Sequence, residues 1–390
     1  MDGRSLPAEG VGARPRTVRS ANVRHGNPGA VALLADELGH ADLCLAALFV
    51  TPEADFAAVM AEAHARFSGV TVIGCTTAGE IGRTGYLEGE ISAFGLPAAH
   101  FDVEPVLVGD LSRIDTDALV GQVIRARHRL GARHPQWQNE FAFLMVDGLS
   151  IKGDELVAAL TGGLGPVPLF GGSAGDGTRF KSTRVALGAH TASNAAVLSL
   201  VRTDCPIKVF SLDHLWPTDR RMVVTEADPA RRIVRQINAE PAAREYARLL
   251  GKDPEHLSTF TFAANPVVVR LGGTHHVRAI QQVLDNGDLV FFSAIGEGLV
   301  LTLAEPKDIA AHLDQALGDL ARDRQPDAIL ACDCILRRVE AGQLQKTRAV
   351  SDILARHRVI GFSTYGEQIN GIHVNHTMTG VAIYAPDDAA

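Results

Sequence analysis

No run of ~18 apolar residues, the length a membrane-crossing helix needs, occurs in the 390-residue chain. The first residues also lack the apolar core of a signal peptide. The net charge of −8 lacks the basic surplus of a general nucleic-acid binder. The five cysteines (Cys44, Cys75, Cys205, Cys332, Cys334) are scattered and odd in number. They make no disulfide framework and suit free thiols in a reducing compartment. Cys332-x-Cys334 has no second pair to complete a metal site, and Ile329, Leu330 and Ile335 beside it point to a buried strand. Together these absences leave a cytoplasmic globular protein, with neither membrane insertion nor nucleic acid as partner.

Catalytic signatures are also missing. Gly171-Gly172-Ser173-Ala174-Gly175 follows a strand as phosphate loops do, but has no Gly-Lys-Ser/Thr. Ser173 does not stand in a Gly-x-Ser-x-Gly elbow, and no histidine or aspartate is placed to activate it. No kinase, receiver or GGDEF-type segment is present. The expectation is a protein that is not an enzyme.

What is present is a repeated plan. Residues 1–24, with Arg4, Arg14, Arg16, Arg19 and Arg24 among Gly and Pro, read as a flexible basic tail. A helix follows, with Asn27 as cap and Pro28 in its first turn. Leu43–Val50 is an apolar strand, Thr51-Pro52 opens a helix, and Val70–Gly74 is the next strand. Cys75–Glu80 is a small-residue turn, and Glu90–Phe94 returns as a strand. Glu140–Asp147, Asp154–Leu160, Pro168–Phe170 and Gly171–Asp176 repeat that order. Ala328–Cys332, Val350–His357, Val359–Gly361 and Tyr365-Gly366-Glu367 repeat it again. Between the second and third copies lie several short strands, a helix ending at Gly251 and an Asn286-Gly287 hairpin signal.

The fold class is therefore mixed α/β (α+β). The architecture is a layered sandwich of mixed β-sheets covered by helices, from three related strand-helix-strand-turn-strand units with an inserted α+β region. The domains are 25–215, holding two units, and 216–390, holding the α+β region at 216–305 and the third unit at 325–385.

The chemistry concentrates in Gly361–Gly380. Glu80, Asp176 and Glu367 occupy equivalent turns, where an acid accepts bonds from turn amides. Peculiar to the third copy are Tyr365 and a strand with His373 and His376. Alternation in an extended strand puts His376 with Ile372, Val374 and Met378, and His373 with Asn375, Thr377 and Thr379. The two imidazoles then face apart and do not share a metal unless the strand bends or bulges, but either one could ligate a haem iron.

Three strings carry a family resemblance. Val72–Glu80 with Gly85-Tyr86, and Phe170–Asp176, resemble the FIST N-terminal domain. Gly361–Glu367 with Asn375-His376-Thr377 resembles the end of the FIST C-terminal domain. The likeness covers residues 25 to 385. It implies a standalone sensory protein. Tyr365-Gly366-Glu367-Gln368 and the His373 strand look like a haem-binding, nitric-oxide-sensing branch called NosP. That likeness implies haem b, with His373 as axial ligand or His376 as the alternative, and Tyr365 and Glu367 close by. Arg278 and Arg270 are propionate partners on charge grounds. It also implies a histidine kinase or cyclic-di-GMP synthase/phosphodiesterase as partner, with a homo-oligomer open. A small organic ligand such as an amino acid, bound without haem by Glu367, Tyr365, Thr364 and turn amides, is the competing reading. An uncharacterised enzyme is the third.

Overall fold

The computed structural model describes residues 17–271 and 273–387. The basic residues Arg4, Arg14 and Arg16 lie outside them, but Arg19–Arg24 is not tail. It forms strand β1, paired along its whole length with a returning strand, and Ala21 faces inward. An alternating pattern too short to stand out among arginines is fixed here by a partner 70 residues on.

The first unit continues with α1 (Ala30–Leu38), β2 (Leu43–Val50), α2 (Phe56–Arg66), β3 (Thr71–Thr76), the hairpin β4 (Glu80–Gly82)–β5 (Gly85–Leu87), and β6 (Glu90–Pro97). Both helices start later than their sequence signals. Gly29, in the left-handed region, precedes α1 in place of Asn27. Asp55, whose carboxylate accepts from the Ala58 amide, caps α2 in place of Thr51. In each case the proline forms part of the preceding turn.

The second unit is β7 (Phe101–Val108), α3 (Thr116–Arg133), β8 (Asn139–Val146), α4 (Gly153–Leu164), β9 (Leu169–Ser173), the hairpin β10 (Val185–Leu187)–β11 (His190–Ala192), and β12 (Ala196–Thr203). The third opens with β13 (Ile207–Leu212) and is then interrupted. The interruption runs β14 (Leu215–Asp228), β15 (Ile233–Ile237), β16 (Glu240–Pro241), α5 (Ala242–Leu250), α6 (Thr259–Ala264), β17 (Val267–Leu271), β18 (Thr274–Val277), β19 (Ile280–Val283), β20 (Leu289–Phe291) and β21 (Val300–Pro306). The third unit resumes with α7 (Ile309–Leu320), β22 (Ala328–Cys334), α8 (Ile335–Gln343), α9 (Thr347–Arg356), β23 (Val359–Thr364), the hairpin β24 (Glu367–Ile369)–β25 (Ile372–Val374), and β26 (Met378–Ile383).

Each unit builds a sheet on one rule. A parallel pair (β2–β3, β8–β9, β22–β23) is joined by a helical crossover, one helix in the first two units and two, α8 and α9, in the third. The returning strand lies antiparallel beside the first strand of the pair, and the leading strand lies outside it. The fifth and sixth places are filled by exchange. The hairpin β4–β5 leaves the first unit for β23 of the third. The hairpin β10–β11 leaves the second for β3 of the first. The hairpin β24–β25 leaves the third for β9 of the second. The three units are thus tied in a closed ring.

The inner faces of the three sheets share one core, in which Phe49, Phe143 and Phe362 meet; the Phe49 and Phe362 rings stack at 4.5 Å. The outer faces carry the helices: α1 and α2, α3 and α4, α7 and α9. Cys332 and Cys334 lie on β22, fully enclosed, where burial pushes their thiols well up.

The inserted residues form a separate eight-stranded sheet with its own core around Tyr246, Phe262 and Phe291. This cap sits over the carboxyl ends of the three parallel pairs. Arg232 reaches the carbonyls of Ser150 and Ile151, and Phe292 packs on Phe180 and Tyr365. Helix α6 lies against α8.

Candidate functional site

At the carboxyl ends of the parallel pairs the three small-residue turns interlock. The Ala78 amide donates to the Ser363 carbonyl, the Gly175 amide to Thr76, and the Tyr365 amide to Ser173. Glycine is required where the backbones touch: a Cβ on Gly175 would stand 2.7 Å from both the Cβ and the amide nitrogen of Ala78. The turn acids hold this junction. Glu367 accepts from the Thr364 hydroxyl at 2.5 Å and the Thr377 amide at 3.2 Å. Glu80 does the same with Thr77 at 2.5 Å and the Glu90 amide at 3.3 Å. Asp176 accepts from the amides of Phe180, Lys181 and Ser182. Burial pushes Glu80 up to about 7 and Glu367 well above the usual carboxylate range.

Tyr365 is enclosed as well. Its hydroxyl donates to Asp176 and accepts from the Asp176 amide at 3.0 Å, binding the third turn to the second. Both Tyr365 and Glu367 are thus used in joining the units.

The two histidines part company for a reason that alternation did not foresee. β25 ends at Val374, and His376 takes a left-handed φ of 53°, so the chain turns from the exchanged hairpin back into its own sheet. His376 then points into a closed polar network. Its Nε2 lies 2.9 Å from Glu340, as does Nε2 of His214. Nδ1 of His214 stands 2.8 Å from Arg337, and Arg337 also donates to Asp333 at 2.7 Å. Burial tends to raise Glu340, but hydrogen bonds from His214 and His376 outweigh it and hold the carboxyl down at about 2. Burial, aided by Arg337, pushes His214 down to about 4.

His214, Glu340 and His376 are grouped closely enough to hold a metal. Proton placement argues otherwise. A guanidinium only donates, so Nδ1 of His214 accepts and its Nε2 carries the hydrogen directed at Glu340. A metal would need that nitrogen bare, beside the fixed charge of Arg337.

His373 is buried differently. Neither ring nitrogen has a partner, and burial pushes the imidazole down to about 4. A Cβ on Gly366 would collide with its Nε2, and one on Gly153 would stand 3.3 Å from its Nδ1. The ring is therefore wedged between two glycines. Beside it, at the seam between cap and base, lie Asp154, Arg232 and Arg278. Arg232 is paired with Asp154 at 2.8 Å. Arg278 is buried, and its Nε lacks an acceptor. Arg270 is elsewhere, exposed on β17 beside His275 in an outer groove of the cap.

Two cavities open along the seam. One, of 240 Å³, runs between Leu149, Phe180, Arg232, Gln281 and Phe292. The other, of 730 Å³, lies between the first unit and α8, with Ala78, Tyr86, Phe260 and Arg338 on its walls. Ligands of parallel α/β sheets favour this end of the strands.

Sequence reasoning placed His373 and Arg278 as candidates, and the structure brings them together; it missed Asp154, Arg232, Phe180, His214, Glu340 and Arg337. Arg232 carries one local signal, a turn at left-handed φ of 56°, but nothing nearby in sequence names its partner 78 residues away.

Among the described residues no helix is long and apolar enough to cross a membrane. No curated protein matches the chain. The FIST N domain family model matches residues 44–240, and the FIST C domain model matches 242–370, so their border falls inside the cap. Together the two matches cover most of the chain, and the chain belongs to the FIST family of signal-transduction sensor domains.

Proposed function

We propose that this chain senses a small ligand at the seam between cap and base, and that ligand binding changes how the cap is seated. One observation carries the reading. The seam gathers buried polar groups without partners, Nε of Arg278 and the hydroxyl of Ser293, beside the enclosed ring of His373. Such groups are destabilising when left unpaired, and a ligand that satisfies them gains what the free protein lacks. Against catalysis stands the enclosure of the His214–Glu340–His376 set, which no substrate reaches.

The signal passes, in this proposal, to a histidine kinase or a cyclic-di-GMP synthase or phosphodiesterase acting in trans. The sensory character of FIST domains supports it.

Haem b is the second reading, favoured by the unclaimed nitrogens of His373. Bound haem would supply an iron able to take nitric oxide. The surroundings of His373 do not fit it: both nitrogens back onto glycines, and the 240 Å³ cavity of this seam, which His373 does not line, is below the ~300 Å³ at which drug-sized pockets begin.

The test is a thermal-shift screen of the purified chain against small metabolites and haemin, followed by amide hydrogen exchange with each compound that binds. The expected result is protection at 148–154, 278–282 and 290–294. Binding that protects other segments and leaves these unchanged would sink the reading. A Soret band that is lost in His373→Ala would instead establish the haem reading.

A further inference from the structure

The described residues bury three arginines: Arg232, Arg278 and Arg337. Arg337 has Asp333 and His214. Arg232 has Asp154 and the carbonyls of Ile151 and Phe292. Arg278 is 8% exposed and, among the described residues, has no carboxylate within ion-pairing distance. Its Nη1 makes two long bonds, 3.2 Å to the Val277 carbonyl and 3.5 Å to the His373 carbonyl, and its Nε makes none.

A guanidinium does not escape burial by losing its proton. Asp154 and Arg232 cancel, and His373 stays neutral because burial disfavours its charged form. The seam is left with one positive charge largely shielded from water, and a buried charge without a counter-ion is unfavourable. Arg232, whose charge acts on Arg278, also lines a cavity walled by Leu149, Phe180 and Phe292, with Gln281 and Gln282 at its side.

We propose that the ligand of this seam is a small organic monoanion: a carboxylate that neutralises Arg278, with an apolar body between Leu149, Phe180 and Phe292. The inference rests on the sensory reading above and names the ligand class of that site. A single negative charge matches the surplus; a phosphate dianion overshoots it. Planar carboxylates also suit the guanidinium fork.

The experiment uses the full chain with benzoate as probe and benzamide, inorganic phosphate and chloride as comparators. Benzoate should raise the melting temperature saturably, by ~2 °C or more, and the comparators should not. Arg278→Met should abolish the response, Arg278→Lys should weaken it, and Leu149→Trp, which fills the cavity, should abolish it with Arg278 intact. Without probe, Arg278→Met should melt no lower than the parent, since it removes an unpaired buried charge. Equal responses to benzoate and benzamide would overturn the proposal. So would a full response to chloride or phosphate, an Arg278→Met variant that responds like the parent, or one that melts lower than it. If these anions fail while a neutral metabolite protects the seam, this inference falls and the sensory reading stands; if neither binds there, both fall.

Discussion

At the scale of single residues, two glutamates of the same core respond to pH with opposite sign. Glu340 sits at about 2 in the folded protein against a reference of 4.5, so it contributes stability above pH ~4.5 that is lost as pH falls toward 2. Glu80 sits at about 7 against the same reference, so folding is penalised progressively as pH rises from 4.5 to 7. Two outcomes follow in urea denaturation. Glu340→Gln should lose ~1–3 kcal/mol at pH 7, because an amide nitrogen then faces one of two imidazole N–H groups and leaves it unpaired. Glu80→Gln should match the parent at pH 5 and exceed it at pH 8.5, because the amide stands in for a carboxyl that resists ionisation. A Glu80→Gln variant that loses stability equally at both pH values would contradict the assignment. The sequence marked Glu80 as a turn acid, and the turn bonds are there. It gave no hint of Glu340, because the two groups that lower it, His214 just before the cap and His376 at the corner before β26, are distant in sequence, and only the fold joins them to α8.

At the scale of elements, strand and helix order was readable and strand partnership was not. Apolar runs such as Leu43–Val50 and Phe141–Val146 declare buried parallel strands by composition alone. The hairpin strands are three residues each and polar on one side, and nothing local says that Glu80–Leu87 belongs to a sheet formed 280 residues later. Alternation on the last strand failed for a related reason. It assumed one strand where the chain has two, in different sheets, with His376 as the corner. The interlock is what makes the glycines of these turns necessary. Gly175→Ala forces a Cβ against Ala78 and should cost ~1–3 kcal/mol as an overpacked core site does. Gly109→Ala, where a Cβ meets open space, is its control and should leave stability within ~0.5 kcal/mol. Guanidinium midpoints for the two variants check this, and equal midpoints would show that the turns have slack.

At the scale of the whole molecule, the ring of exchanged hairpins makes the units interdependent. Residues 1–215 contain every strand of the first two units and resemble a domain in sequence. In the folded chain, however, β9 is completed by β24, β4 is paired with β23, and Phe49 stacks on Phe362, all from the third unit. A fragment ending at 215 therefore exposes the edge of β9, leaves a hairpin without its sheet and opens the shared aromatic core to water. Open edges beside apolar surface favour association over folding. Expressed alone, this fragment should lack a single cooperative denaturation transition and run as aggregate on size exclusion. Co-expressed with residues 206–390, it should assemble into a monomer-sized complex that unfolds in one step, because the second fragment returns β23, β24 and the Phe362 ring. A fragment that is monomeric and unfolds cooperatively by itself would mean that the exchanged hairpins decorate two complete units. The ring would then not be what binds the third unit, and with it the seam, to the other two.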